Sequence, residues 1–207
     1  MRLLMAAYFC AGFGYVVSAT FIVAIVDHLP GLAGRGTLVF LALGVAAAPA
    51  CIVWDLVARR TGELNALLVA ALLQIVGILL PVMADGLIAA LAGALLFGGT
   101  FIGMVSLVLT MAGRYYPTRP AKMMGKMTLS YGAAQIIAPA VTGWLAGSLG
   151  SYAGGLYLAA AVMAVGTLLL LMLKFVERRD PGAEHCGRQS PSAALSKSYR
   201  RPTHGGG

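Results

Sequence analysis

Charge is scarce in this sequence. Only 11% of its 207 residues are Asp, Glu, Lys or Arg, where a soluble domain carries about a quarter. Acids are scarcer still, seven against fifteen bases. The seven are Asp27, Asp55, Glu63, Asp85, Glu177, Asp180 and Glu184, and every one stands at the end of an apolar run, between runs or after the last. His28, His185 and His204 do the same. No carboxylate or imidazole is therefore left inside a run to bind a metal or relay protons. There is no G-x-S-x-G elbow, no metal-ligand histidine spacing and no phosphate loop. The expectation is no catalytic residue, no metal and no cofactor, which argues against an intramembrane protease or metalloenzyme. Three cysteines also fall short of a disulfide framework. Cys10 and Cys51 lie in apolar runs and read as small apolar residues, while Cys186 lies in a polar tail.

What the chain has instead is apolar length: 59% of residues are hydrophobic and mean hydropathy is +0.86. About 20 apolar residues are needed for a helix to cross a bilayer. Six stretches qualify, at about 3–26, 36–54, 64–84, 87–112, 127–149 and 155–176. The first is longer than the apolar segment of a signal peptide and is read as a retained span. Open strands are excluded, because unpaired backbone groups in lipid cost several kcal/mol each. The fold class expected is an all-α membrane protein of six transmembrane helices. Fourteen of the fifteen basic residues fall on the side that holds the N-terminus, the second and fourth loops and the tail, and only Arg35 lies opposite. Basic residues accumulate on the cytoplasmic side, so both termini are expected in the cytoplasm. The net charge of +8 is thereby explained by topology, and no nucleic-acid partner is expected. From residue 177 the sequence turns polar and rich in Pro, Gly and Ser. Residues 177–207 are expected to form a disordered basic cytoplasmic tail, with Arg178 and Arg179 near lipid headgroups.

The spans differ in character. The third and sixth are mostly aliphatic, with Gln74 the one strongly polar residue of the third, and suit a lipid-facing place. At about 100° per residue, Thr128, Tyr131, Gln135, Pro139 and Thr142 fall in one stripe of the fifth span. Tyr8, Gly12, Tyr15 and Ser18 share a face of the first. Gly99, Gly103, Ser106 and Thr110 share a face of the fourth, with Thr100 at its margin. Such faces point into protein or water. Two readings stay open for them: close helix packing, as at Gly99-xxx-Gly103 and Gly143-xxx-Gly147, or the wall of a polar translocation path. Gln135 brings two donors and an acceptor that are costly to leave unpaired. Pro139, one turn on, removes a donor and frees a carbonyl beside it.

Four segments carry a family resemblance: CAGFGYVVSATFIVAIV in the first span, APACIVWDLVARRTGELNALL from the end of the second, LLFGGTFIGMVSLVLTMA in the fourth and SYGAAQIIAPAVTGWLAGSLG in the fifth. In order and spacing they resemble the C-terminal half of a major facilitator superfamily (MFS) transporter of the YbfB/YjiJ type, over nearly all of Tyr8–Val176. Asp55 with Arg59 and Arg60 resembles the superfamily's cytoplasmic gate motif, although Cys51, Leu56 and Ala58 replace its usual flanks; plain topogenic charge is the alternative there. Val23 and Asp27 likewise replace a proline and a basic residue usual in the branch.

The resemblance implies a half of 3+3 inverted repeats, in which the first and fourth spans line a cavity. The implied substrate path involves Tyr15, Ser18, Thr100, Tyr131, Gln135 and Pro139, with the gate at Asp55, Arg59 and Arg60. The implied function is secondary transport of an unidentified small solute across the inner (plasma) membrane by alternating access. A complete transporter has twelve helices, so this chain is expected to be a truncated or internally started one, or to take its missing half from a partner. The alternatives are a non-transporting six-helix interaction or assembly protein, and a half-transporter working with a second copy of itself. Membrane lipids are expected partners in every case.

Overall fold

A computed structural model describes residues 2–28, 34–84, 86–149 and 153–179, and all regular secondary structure among the described residues is α-helical. Seven helices follow one another: α1 (Arg2–His28), α2 (Gly36–Ala47), α3 (Ala50–Thr61), α4 (Glu63–Met83), α5 (Leu87–Tyr115), α6 (Pro120–Leu149) and α7 (Ala153–Arg179). Met1–Leu173 form one compact unit. The end of α7 from Lys174 onward falls in a second unit. The expected tail lies outside the described residues from Asp180 onward, as do most of the first and last expected loops.

The stretch expected as a single second span is broken. Pro49 has no N–H to continue α2 and stands as the N-cap of α3. The two helices bend by 44° at this point. Helix then resumes and runs past Trp54 to Thr61, so Asp55, Arg59 and Arg60, expected in a loop, lie on α3. Leu56, Ala58 and the two arginines are good helix formers, and Arg59 pairs with Asp55 one turn back. Gly62, at φ +93°, turns the chain between α3 and α4, and Gly86, at φ +114°, does so before α5. A side chain there would be strained. α6 starts seven residues before the expected 127, because Pro120 is preorganised for the first helical position.

Four helices are long and apolar enough to cross a membrane: α1 over Arg2–Val23, α4, α5, and α7 over Ala153–Glu177. The bent pair α2–α3 passes the same test as a unit and makes a fifth. The sequence reading expected six. The difference lies in α6, which has 30 residues but whose polar stripe and Pro139 dilute its apolar character. α5 is the central element and touches α1, α2, α3, α4 and α6. Glycines allow these contacts. At Gly77 a Cβ would stand 3.0 Å from the Phe97 nitrogen, and at Gly93 2.9 Å from Pro81, so α4 and α5 meet backbone to backbone. At Gly98 it would overlap the Leu43 carbonyl of α2, and at Gly103 the Trp54 ring of α3. The outward surface carries exposed aliphatics on several helices, among them Val69, Leu72 and Val76 of α4 and Leu168 and Met172 of α7. An apolar exterior of this extent needs lipid or protein to cover it.

Candidate functional site

α1, α5 and α6 meet around aromatic rings. Tyr15 of α1 is the hub: its ring lies 4.6 Å from Phe101 at 27° and 6.2 Å from Phe97 at 9°. Tyr131 of α6 lies 6.2 Å from Tyr15, and Tyr8 of α1 packs against Tyr131 at 4.7 Å with the rings tilted by 34°. Phe97 and Phe101, one turn apart on α5, are themselves 5.7 Å apart. Offset or tilted rings at such distances attract beyond their area of burial. The placement of Tyr131 depends on Gly12, where a Cβ would meet the Tyr131 carbonyl at 2.8 Å and its ring at 3.1 Å. Ser130 adds a link by donating to the Met5 carbonyl at 3.3 Å.

Of the expected path residues, Tyr15 and Tyr131 are brought together. Gln135 follows one turn beyond Tyr131 and is half-buried; Pro139 follows a further turn on and is exposed. Ser18 is only 3% exposed, and its Oγ has no hydrogen-bond partner. Thr100 is buried too, but its hydroxyl donates to the Leu96 and Phe97 carbonyls at 2.8 and 3.1 Å. It is satisfied by its own helix. None of the phenol groups of Tyr8, Tyr15 and Tyr131, nor the Gln135 carboxamide, donates a hydrogen bond to another described residue.

The small face of α5 has a different use from a path wall. Trp54 of α3 donates Nε1–H to the Gly99 carbonyl at 2.7 Å and lays its ring over Gly103. That is the packing reading. Phe97 and Phe101 each lie about 160° around α5 from Gly99, so the ring-bearing side was missed by following small and polar residues. The i, i+4 pair of phenylalanines in FGGTF was the available sign. Gly143 and Gly147 show the opposite outcome: no atom comes within 4 Å of a Cβ at either, so they pack on nothing among the described residues.

At the other expected site Arg59 donates Nε–H to Asp55 at 2.8 Å, with both side chains exposed. Arg60 is exposed as well. The sequence reading missed a second ion pair nearby: Arg114, at the end of α5, reaches Glu63, at the start of α4, at 2.5 Å. Glu63 is only 23% exposed and also favours the positive N-terminal end of α4. Among the described residues no cluster of His, Cys, Asp or Glu could hold a metal ion.

Three comparisons bear on this arrangement. The model of the family described as "Uncharacterised MFS-type transporter YbfB" matches residues 1–171. No curated protein matches the chain. Among solved structures, a crystal structure of the peptide transporter POT in complex with sulfate superposes with a TM-score of 0.72 at 19% identity. The match covers 95% of this chain and 42% of that one. The fold is shared; the chain spans less than half the length of the transporter it resembles.

Proposed function

The chain belongs to the family of YbfB-type MFS transporters, and on that footing we propose that it forms one half of a secondary transporter for a small solute. It is an integral membrane protein of transporter fold. In this reading α1, the α2–α3 pair, α4, α5, α6 and α7 are six spans with both ends in the cytoplasm, set in the inner (plasma) membrane. The 14:1 distribution of basic residues supports that orientation. The observation that carries the proposal is the meeting of Tyr15, Tyr131, Phe97 and Phe101 where three helices converge, with the buried, unpartnered Ser18 hydroxyl one turn from Tyr15. Unpaired donors in a membrane interior are costly unless water or a ligand answers them.

Alternating access needs a second body against which this one rocks. Further helices of a longer chain, a separate half or a second copy would supply it. Asp55, Arg59 and Arg60 lie on α3, where they would meet that body on the cytoplasmic side. No step in this mechanism needs covalent chemistry, so the protein is read as a transporter and not an enzyme. The test is uptake into vesicles by this chain co-expressed with the N-terminal six helices of a YbfB-type transporter. Uptake that needs both halves and falls at least tenfold in Gln135→Ala is expected. Uptake indifferent to Gln135 removes that residue from the path, and no uptake with any partner rejects the transport reading.

A further inference from the structure

We propose, on the footing of the transport reading above, that the solute bound at this wall carries a planar aromatic ring, held by stacking on Tyr15 and Phe101 and not by charge. Five rings from three helices form a continuous series, Phe97–Phe101–Tyr15–Tyr131–Tyr8, with neighbouring centroids 4.6–6.2 Å apart. The two ends, Phe97 and Tyr8, are buried at 1% and 3% exposure. The three middle members, Phe101, Tyr15 and Tyr131, each keep part of their surface open. Rings closed at both ends of the series and open in its middle leave π surface that packing within the chain does not use. Here the hydroxyls donate to no described residue, and the Oγ of Ser18, one turn beyond Tyr15, is buried without a partner.

The rest of the wall limits what can bind. The ion pairs Asp55–Arg59 and Glu63–Arg114 sit on the last turns of α3 and α5 and the first of α4. Acids and bases are absent from the described parts of α1, α5 and α6 between Leu3 and Val26, Leu87 and Gly113, and Met127 and Leu149. A solute held through its charge finds no counter-ion on this wall. A sugar asks for several directed hydrogen bonds around one ring, whereas this wall is mostly π surface. A flat ring meets stacking faces, and its polar edge meets the Gln135 carboxamide and the phenols. Gly12 fixes Tyr131 against the α1 backbone, so the faces are set before the solute arrives.

The test compares two neutral carboxamides that differ in the ring alone. The 207-residue chain in lipid nanodiscs is mixed with benzamide or with cyclohexanecarboxamide, and saturation transfer to ligand protons is read against empty nanodiscs. Benzamide is expected to bind about two- to twelve-fold more tightly, the range that an aromatic pair contributes beyond burial. Tyr15→Leu and Phe101→Leu should remove that preference, and Tyr15→Phe should keep it. Equal transfer from the two carboxamides, or stronger transfer from glucose than from benzamide, overturns the proposal. The comparison on the unsubstituted protein decides the matter even where a leucine variant fails to fold. The outcomes also separate this proposal from transport itself. Uptake that depends on Gln135 but ignores the ring keeps transport and rejects the aromatic solute, whereas ring-selective binding without uptake does the reverse.

Discussion

Single residues in this molecule are constrained by two opposite defects, space that is too small and polar groups that are unanswered. Gly103 belongs to the first kind. A methyl there runs into the Trp54 ring, which is 6% exposed and tied to the Gly99 carbonyl. Gly103→Ala is expected to destabilise the chain by about 1–3 kcal/mol, the usual cost of forcing atoms into a packed interior. Trp54→Phe should cost about 0.5–1.5 kcal/mol for the hydrogen bond, in addition to any lost packing. In the double variant the two losses should be less than additive, because the smaller ring makes room for the methyl; unfolding in a denaturing detergent titration measures all three. Gln74 belongs to the second kind. Its side chain is 1% exposed and its Oε1 has no partner. Gln74→Leu removes that unsatisfied group at similar volume, so stability should hold or rise. A loss above about 1 kcal/mol in the same titration would mean that an ordered water or a further chain serves the carboxamide.

Among the elements, α6 differs most from its neighbours, because one side of it is closely packed and another is open. Met127, Ala134, Ala138 and Thr142 are buried, whereas Leu129, Ile136, Pro139 and Trp144 are exposed. Glycine therefore has two meanings around this helix. Gly12 of α1 receives the Tyr131 backbone, and Gly12→Ala should cost about 1–3 kcal/mol. Gly143 and Gly147 of α6 meet nothing within 4 Å. Gly143→Ala and Gly147→Ala should each be neutral or stabilise the helix by up to about 1 kcal/mol, the difference in helix propensity. Thermal unfolding of the purified chain distinguishes the two classes, and equal losses at all three sites would contradict the packing described. This contrast shows where sequence was informative. The period of 3.6 placed Tyr8, Gly12, Tyr15 and Ser18 on one side of α1, and apolar length located α1, α4, α5 and α7. Period says which residues share a face but not which neighbour the face meets. Small-residue pairs at Gly99-xxx-Gly103 and Gly143-xxx-Gly147 look alike in sequence, yet one is filled by Trp54 and the other is open. The break at Pro49 was likewise hidden, because proline in an apolar run marks a kinked span as readily as a divided one.

At the scale of the whole molecule, the open faces raise the question of what covers them. The chain covers 42% of a transporter whose fold it shares, and on its own it leaves Ile52, Leu129, Ile136 and Trp144 between 71% and 78% exposed. Apolar side chains of this kind satisfy lipid and protein equally, since lipid tails are as apolar as leucine. Glycines do not. A lipid-facing helix gains nothing from Gly143 and Gly147, whereas a helix that another backbone approaches closely needs residues without side chains. Replacing both by leucine therefore separates the two surroundings. In the isolated chain Gly143→Leu with Gly147→Leu should leave thermal stability unchanged or raise it, because the space around each Cβ is open and leucine is the better helix former. In cells that also make the N-terminal six helices of a YbfB-type transporter, the same pair of changes should cut recovery of the two halves together at least tenfold and abolish uptake. Unchanged recovery and uptake would place this side of α6 against lipid. The second body would then have to meet the chain through α1, the α2–α3 pair and α5, the helices that hold the bend at Pro49 and most of the ring wall.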